Sequence, residues 1–422
     1  MQTSVFVFAY DLVDEGYGHV LDTIRDRAGA TAVNLACSYH HARDVFPHNP
    51  RRKVRFLEGG ACFFRPDPAR YAGLKIQPIR SRLTDDHDPL SRCIEEAERR
   101  GMAVRAWTTN LHNTGLGSQY PDCALQNAFG DPYITCLCPA NPHVRAYLCA
   151  LSADIASRGV QAILLESIGY HSFDHGYHHE RSFVPLSPAI RFLLGLCFCT
   201  SCVEQLTARG VDMERVQRFV QAEVERVFNG ETSAVEHMPV ERSALAALAD
   251  GELGNMLEQR CAIVKSLVAA INEAVSAVGS TQVIAMDMSG AAVGYATGMP
   301  VGDPAPLRAW EDGLDLPAVA SACHGIAVLA YARDVNRVRT DLDAYTNLLP
   351  DGVNLTVGVR PMPPDCYDAG EMTAKVALLR ERGVASMDVY HYGLMRLHHL
   401  DWVGEALRAG RPLPLIPSAS QG

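Results

Sequence analysis

Hydrophobic and polar positions follow a repeated pattern along the chain, in which short apolar runs alternate with longer amphipathic segments. The apolar runs are rich in β-branched residues and end in polar ones, which is typical of buried parallel strands. The segments between them have helical periodicity, and several end in glycine just before the next run, where a helix usually stops. The eight runs cover residues 4–11, 30–38, 102–110, 160–167, 281–289, 325–332, 352–359 and 383–392.

Eight strands with intervening helices predict an α/β protein with a (β/α)8 barrel, the TIM-barrel fold. A doubly wound sheet is the alternative. We expect one barrel domain over residues 1–412 and a C-terminal tail over 413–422. The spacing of the runs places a long excursion at 167–280, between the fourth and fifth strands. No internal repeat, low-complexity tract or linker rich in Pro, Gly or Ser divides the chain.

Composition narrows the classes of function. The chain is 48% hydrophobic and 20% charged, as in ordinary globular proteins, and its net charge of -10 argues against nucleic-acid binding. No window reaches 18 apolar residues, so we expect no membrane span. The first residues lack the basic region of a signal peptide, and we therefore expect a cytoplasmic protein with reduced thiols. The sequence is compatible with a homo-oligomer and does not determine the oligomeric state.

Catalysis in such a barrel takes place at the C-terminal ends of the strands. Glu166 ends the apolar run AILLES, where desolvation would raise its pKa and suit a general acid. Asp287 and Asp11 end two other runs and are the next candidates for a catalytic carboxylate. Each of the three could instead be structural, in a salt bridge or as the cap of a turn. Asp388 could face the helix layer, since a shift of one residue reverses the face.

Further polar residues at or after the strand ends are candidates for hydrogen bonds to substrate hydroxyls: His40, His41, Asn110, His112, His171, Arg360, Tyr390 and His391. The segment 171–179 is rich in histidine and could form a second metal site or a hydrogen-bonding wall. Arg360 could bind a carboxylate or phosphate, or brace its own loop.

A cluster of cysteines follows in the excursion. Cys197, Cys199 and Cys202 have C-x-C-x2-C spacing, and in a reducing compartment they favour metal binding over disulfides. The total of 13 cysteines is odd and suits no complete disulfide set. A structural zinc site needs a fourth ligand, which Cys136 or Cys138 could supply, whereas a catalytic zinc would keep a position open. Unpaired buried cysteines are the alternative.

Residues 130–210 resemble glycoside hydrolase family 42, the β-galactosidases. The resemblance rests on Cys138-Pro139, the run 141–145, Glu166 and the cysteine cluster. A similar LCPANPxVRAY run occurs in uncharacterised glycosyl-hydrolase-like barrels. The resemblance implies that Glu166 is the catalytic acid, and that one structural zinc per chain is held by Cys138, Cys197, Cys199 and Cys202.

The chain departs from this family at two places. Leu165 stands where the family has Asn before the catalytic Glu, and about thirty residues separate Glu166 from the cysteines. The family also has a nucleophilic Glu at the end of strand seven, where this chain offers only Asp365 nearby. The complete mechanism of the family therefore cannot be assigned to this chain. Glu166 could be the acid, or a nucleophile as in barrel enzymes whose nucleophile ends strand four.

We therefore expect a glycoside hydrolase-like enzyme that cleaves a small glycoside or oligosaccharide by carboxylate acid/base catalysis, without an organic cofactor. With 3 Trp, the chain offers few stacking platforms for a long polysaccharide. The distance between the two catalytic carboxyl groups would indicate the stereochemistry. A distance of about 5 Å favours retention of the anomeric configuration, and a larger one favours inversion. The alternatives are a metal-dependent sugar isomerase or epimerase, and a sugar-binding barrel that has lost hydrolysis.

Overall fold

Eight parallel strands form a closed barrel in the computed structural model, which describes residues 1–175, 181–294 and 296–409. The strands are β1 (Gln2–Val7), β2 (Ala32–Tyr39), β3 (Ala103–Thr109), β4 (Ala162–Glu166), β5 (Gln282–Asp287), β6 (Gly325–Leu329), β7 (Leu355–Val359) and β8 (Ser386–Val389). Strand β1 pairs with both β2 and β8, which closes the ring. The predicted (β/α)8 barrel is confirmed, and the predicted tail 413–422 lies outside the described residues.

Helices follow every strand and surround the barrel. The outer layer consists of α1 (Tyr17–Ala28), α2 (Pro89–Glu98), α3 (Pro142–Ala156), α4 (Glu252–Ser276), α5 (Leu316–Ala320), α6 (Val335–Leu348), α7 (Ala369–Glu381) and α8 (His398–Arg408). Further α-helices are Ala9–Glu15, Pro68–Tyr71, Thr114–Gln119, Pro188–Leu194, Thr200–Thr207, Met213–Phe228, Arg242–Ala246 and Ser289–Gly294. The 3-10 helices are Arg82–Thr84, Pro121–Cys123, Ala249–Gly251, Ala305–Asp312 and Tyr392–Leu394. Short strands are Arg43–Val45, Val54–Phe56, Ala61–Cys62, Ile79–Arg80, Ala124–Gln126 and Pro132–Leu137.

Local sequence determines where the barrel helices begin and end. The Asp88 side chain accepts hydrogen bonds from the backbone N–H groups at the start of α2, and Asn141 does the same for α3. A proline occupies the first helical position in both, where no N–H is needed. Gly159 and Gly383, which follow α3 and α7, have φ of 82° and 68° and turn the chain toward the next strand.

The first strand is shorter than its apolar run. Strand β1 ends at Val7, and the polypeptide enters the helix Ala9–Glu15, whose first turn contains Asp11. The Asp11 carboxylate accepts a hydrogen bond from the Phe8 backbone N–H at 2.9 Å. This local bond favours a helical start over a continued strand, which the alternation of apolar residues alone did not indicate.

The barrel interior contains a buried ion pair. Arg105 of β3 contacts Asp388 of β8 at 2.7 Å and the Ser4 hydroxyl of β1 at 3.2 Å. Asp388 therefore faces the barrel interior and not the helix layer. Toward the C-terminal end of the strands, the ring of Phe6 meets the edge of Trp107 with centroids 4.8 Å apart. The interior thus changes from a charged layer to an aromatic layer just below the mouth.

The excursion between β4 and β5 is mainly helical in its described part. Its buried apolar side chains, among them Leu193, Val216 and Leu257, belong to the same hydrophobic core as the barrel. Its last helix, α4, packs against α3 on the outside of the barrel. Among the described helices, none combines the length and the apolar character that crossing a bilayer would need.

Candidate active site

A cavity of about 1590 Å³ opens at the C-terminal end of the strands. Side chains from five strands and from the residue that follows β8 form its floor: Phe6, Trp107, Glu166, Met286, Leu329 and Tyr390. Its sides come from the excursion and from the segment between β5 and β6. The location is the one that the barrel fold reserves for catalysis.

Glu166 presents its carboxyl group to this cavity from the end of β4. Its side chain is nearly buried, with 6% of the residue exposed, and the indole N–H of Trp107 donates a hydrogen bond to Oε2. Burial raises the pKa of Glu166 to about 7, although the bond from Trp107 lowers it in part. Oε1 accepts no hydrogen bond from the described residues. The group is therefore a carboxyl that gains and loses its proton near neutral pH and has one oxygen available to a ligand.

The backbone around Glu166 is held on both sides. Asn110 donates two hydrogen bonds to the Glu166 carbonyl, from its backbone N–H at 3.0 Å and from Nδ2 at 2.9 Å. The next residue, Ser167, has a φ of 54°, which is uncommon for a residue other than glycine. Its carbonyl accepts from the Leu111 N–H at 2.9 Å. Asn110 thus supports the backbone of Glu166 and is not among the residues that line the cavity.

Aromatic rings fix the indole that contacts Glu166. The Trp107 ring lies 4.6 Å from the ring of Tyr39 and 6.1 Å from that of Tyr390, in edge-to-face arrangements. Both tyrosines also line the cavity. The surroundings of Glu166 are therefore largely aromatic and leave the side chain little contact with solvent, which explains the raised pKa of its carboxyl group.

Four histidines form one side of the cavity. The rings of His40 and His112 stack at 4.4 Å, and those of His171 and His175 stack at 4.5 Å. His112 and His175 share a hydrogen bond of 2.9 Å between Nδ1 and Nε2. The predicted candidates His40, His112 and His171 therefore come together, and His175 joins them. Residues 176–180, which include the other histidines of the predicted His-rich loop, lie outside the described residues.

These histidines are uncharged at neutral pH. Desolvation lowers the pKa of His40 to about 4, and it also lowers the pKa values of His112 and His171. The Nε2 atoms of His112 and His171 are buried and have no hydrogen-bond partner within the described residues. Neutral imidazoles with a free nitrogen can donate to or accept from a hydroxyl group.

Asp312 is a second cavity carboxylate, which the strand-end rule did not indicate. It ends the 3-10 helix Ala305–Asp312 in the segment between β5 and β6, and its carbonyl accepts from the Tyr170 N–H at 2.7 Å. Burial raises the pKa of Asp312 to about 7, with a further contribution from the charge of Glu311. The side chain of Asp312 makes no hydrogen bond to the described residues. In the sequence, the only signal was an acidic pair in a loop.

Asp287 and Asp11 do not line the cavity. Met286 and Met288 do, so the alternate residue Asp287 points to the helix layer, where the Tyr345 hydroxyl and Ser289 donate to its carboxylate. Val283 and Ala285, which alternate with Met286 along β5, therefore also face the helix layer. Asp11 is fully buried in the first turn of the helix Ala9–Glu15.

Three other predicted binding residues also lie outside the cavity lining: His41, Arg360 and His391. Arg360 forms two bonds of 2.7 and 2.8 Å with Asp365, and its guanidinium lies over the Tyr331 ring at 4.4 Å. It therefore braces the loop after β7, and Tyr331 lines the cavity instead. His391 is buried against the Phe8 ring at 4.1 Å. Tyr390, which precedes it through a cis peptide bond, does reach the cavity.

The four predicted metal-binding cysteines converge. Cys138, Cys197, Cys199 and Cys202 are buried, and their sulfur atoms all lie within 4.8 Å of one another. The Cys138 sulfur lies 3.4 Å from that of Cys202 and 3.5 Å from that of Cys199, with no disulfide formed. A tetrahedral site with Zn–S bonds of about 2.3 Å separates its sulfurs by about 3.8 Å. The four thiols therefore fit a closed metal site.

Cys136 is not part of this group. Within the described part of the chain, no other set of three His, Cys, Asp or Glu side chains is close enough to share an ion. We call His40, His112, His171 and His175 the histidine wall. Within the described residues, these four side chains do not converge on one point as the ligands of a second metal ion would.

Tyr170 connects the cysteine group to the loop that follows Glu166. Its hydroxyl lies 3.5 Å from the Cys202 sulfur, and the guanidinium of Arg260 covers its ring at 4.4 Å. Tyr170 is only four residues from Glu166 and is bonded to the carbonyl of Asp312. The cysteine group thus supports the loop that follows Glu166 and contacts Asp312 through Tyr170, and none of the four cysteines lines the cavity.

Comparisons with known proteins identify similar folds. No protein-family model and no curated protein matches the chain. The α-L-fucosidase isoenzyme 2 from Paenibacillus thiaminolyticus is similar in structure, with a TM-score of 0.56 and 11% identity over 97% of this chain and 49% of that one. A β-galactosidase from the psychrophilic Marinomonas ef1 is also similar, with a TM-score of 0.54 and 9% identity over 97% of this chain and 59% of that one. The chain thus spans about half to three-fifths of these proteins, and the likeness shows the fold.

Proposed function

We propose that the chain is a glycoside hydrolase-like enzyme that cleaves a glycosidic bond, with Glu166 as the proton donor to the leaving oxygen. The observation that carries the proposal is the placement of a desolvated carboxyl, with a pKa of about 7, in the cavity at the C-terminal end of β4. A general acid works best when its pKa lies near the working pH. The likeness to a fucosidase and a β-galactosidase supports the same class of reaction.

We propose Asp312 as the second carboxylate, in place of Asp287 and Asp11. Asp312 lines the cavity. The carboxylate of Asp287 instead accepts hydrogen bonds from Tyr345 and Ser289, and that of Asp11 accepts one from the Phe8 backbone N–H. Glycosidases use such a second group as a nucleophile or to activate water. The anomeric configuration of the first product, followed by proton NMR, distinguishes retention from inversion and hence the two roles of Asp312.

The loop after β7 does not offer the nucleophile of family 42. Asp365, the carboxylate nearest to the end of β7, is fully buried and bonded twice to Arg360. The proposed enzyme therefore keeps the strand-four acid of that family and takes its partner carboxylate from the segment between β5 and β6. This difference is consistent with a glycosidase related in architecture but different in mechanism.

The histidine wall would orient the sugar. His40, His112 and His171 line the cavity with uncharged rings, and a neutral imidazole can donate a hydrogen bond to, or accept one from, the hydroxyl groups of a neutral sugar. A metal-dependent isomerase would instead need ligands that converge on an ion, and the cavity histidines and carboxylates of the described chain do not. This arrangement favours the hydrolase over the isomerase.

We propose zinc as the ion of the cysteine group, with a structural role. Four thiolates fill a tetrahedron and leave no position for water, as in closed structural sites. When bound, zinc would hold Cys138 against the cluster 197–202 and so fix the Tyr170 loop. This chain's own residues would perform the proton transfer and the orientation of substrate.

A screen of methyl glycosides tests the proposed function. Glu166→Gln should lower kcat/KM by at least about a hundredfold, since general acids contribute about 10²–10⁴ in rate. Asp312→Asn should cause a loss of similar size. The matched control is Glu223→Gln, because Glu223 is also 6% exposed but lies in the excursion, bonded to Ser233. Full activity of Glu166→Gln on every substrate of the wild type would overturn the assignment.

A further inference from the structure

The cavity lining combines two groups of side chains. The histidines and Glu166 lie at the strand ends and in the loops that follow them. The excursion beyond His175 and the segment between β5 and β6 supply both charged and apolar side chains. Six apolar ones among them are Phe192, Met238, Val240, Val301, Leu307 and Trp310. We call these six residues the apolar wall.

The apolar wall is assembled from distant parts of the chain. The Phe192 and Trp310 rings contact each other with centroids 5.5 Å apart, although one belongs to the excursion and the other to the segment before β6. Val301 and Leu307 extend the wall toward solvent, with 82% and 51% of each residue exposed. All six side chains line the same cavity, and an apolar ligand in contact with them would lose contact with water.

The cavity is larger than a single sugar ring requires. Drug-sized ligands occupy pockets of about 300–1000 Å³, and this cavity measures about 1590 Å³. Hydroxyl-rich sugar units added along the apolar wall would lose hydrogen bonds to water without replacing them. The remaining space therefore suits an apolar group attached to the sugar better than a longer oligosaccharide.

Charge around the cavity argues that this group is not anionic. Besides Glu166, the acidic side chains of the lining are Asp44, Asp174, Glu241, Asp303, Glu311 and Asp312. The lining contains three arginines, of which Arg191 is paired with Asp174 and Arg308 with Glu311. An anionic ligand would meet a surplus of negative charge, so an uncharged ligand is favoured.

We propose that the apolar wall binds the large, uncharged, apolar aglycone of an amphiphilic glycoside. The sugar then lies against the histidine wall, and the glycosidic oxygen lies near Glu166. This inference rests on the proposed glycosidase function for the identity of the ligand, but the binding of the apolar group itself does not depend on hydrolysis.

Calorimetry with a free aglycone analogue tests the wall directly. We expect the full chain to bind 2-naphthylmethanol more tightly than 2-naphthoate, its anionic counterpart. The double variant Val301→Asp with Leu307→Asp should weaken 2-naphthylmethanol binding about tenfold or more, because it introduces charge into the wall. The double variant Val278→Asp with Leu348→Asp changes the same residue types at exposed positions outside the cavity and should bind as the wild type does.

The inference is overturned if the wild type does not bind 2-naphthylmethanol, or if the wall variant binds it unchanged. Glu166→Gln separates this outcome from failure of the proposed function, since it should abolish hydrolysis and retain 2-naphthylmethanol binding. With a given sugar, the wild type should cleave the 2-naphthylmethyl glycoside with at least about tenfold higher kcat/KM than the methyl glycoside. Both leaving groups are alkoxides, so the difference reports binding. Equal values would count against the inference and leave the function standing.

Discussion

Replacement of Trp107 by Phe is the most direct test of how the site tunes Glu166. The indole N–H of Trp107 donates to the Glu166 carboxylate, which stabilises the ionised form and lowers the pKa of a group that burial raises. Phe keeps an aromatic ring on the floor but lacks the donor. The pKa of Glu166 should therefore rise above its value of about 7 in the wild type.

The size of this change follows from the bond that is lost. A hydrogen bond to a charged group is worth about 1.5–3 kcal/mol, and one pKa unit corresponds to about 1.36 kcal/mol. Trp107→Phe should thus raise the pKa of Glu166 by about one to two units. At pH 8 the wild type would be about one-tenth protonated, and the variant about half protonated or more, which corresponds to a several-fold difference in active acid.

The assay is kcat/KM against pH on a methyl glycoside, whose alkoxide leaving group requires protonation. For a general acid, activity falls above the pKa of Glu166, and the midpoint of this fall should move to higher pH in Trp107→Phe. Carbon-13 NMR of labelled glutamate, with Glu166→Gln to identify the signal, measures the same pKa without substrate. Trp402→Phe, a half-buried indole on α8, is the control and should leave the midpoint unchanged.

Two outcomes would refute this account. An unchanged midpoint, or one that moves to lower pH, would mean that Trp107 does not stabilise the ionised Glu166. A rate that rises through the midpoint would confirm the coupling but assign Glu166 as nucleophile, against the proposal. Loss of aromatic packing alone would lower stability without moving the midpoint upward.

The remaining predictions concern the metal group, a buried carboxyl and a close backbone contact. Cys199→Ser should reduce the zinc content below one per chain and lower Tm, with a smaller effect on the catalytic step. Cys149→Ser, the control, should change neither the zinc content nor Tm. An unchanged zinc content in Cys199→Ser would contradict the metal assignment. Burial raises the pKa of Asp11 to about 8, so folding favours its protonated form and stability is lost as pH rises from about 4 through 8. Asp11→Asn should therefore gain unfolding free energy over the wild type across that interval, and a difference independent of pH would contradict this. Gly169→Ala would place a Cβ against the Asp312 carbonyl. It should lower the unfolding free energy by about 1–3 kcal/mol and also reduce activity. Gly279→Ala, where the added Cβ meets open space, should change neither.

Periodicity identified the barrel because it depends on many residues at once. All eight strands lie within or overlap their apolar runs. Two barrel helices begin at a proline directly after a capping residue, at Pro89 after Asp88 and at Pro142 after Asn141. Single residues at strand ends were less reliable, because one step of register reverses the face. Asp287 therefore points to Tyr345 on the helix layer although its run was correctly identified.

Residues supplied by irregular segments were not predictable from the pattern. Asp312 reaches the cavity through a 3-10 helix and a bond to the backbone of Tyr170, neither of which leaves a periodic signal. His171 and His175 were visible as part of a cluster in the sequence and His40 and His112 as residues after strand ends. Their contact depends on the loop after β2 meeting those after β3 and β4. The cysteines were the clearest local motif, since their spacing alone restricts the chemistry.

Glu166 and the apolar wall come from different parts of the architecture, and this has an evolutionary consequence. Glu166 and the ring that surrounds it belong to the barrel, whose strands constrain one another all around the circumference. The apolar wall belongs to the excursion and to the segment between β5 and β6, outside the barrel strands. If the proposed function holds, we expect that substitutions in these segments which spare Asp312 can change the leaving-group preference while Glu166 and its strand stay unchanged. For protein engineers, the same division makes 238–240 and 301–310 the natural segments to randomise.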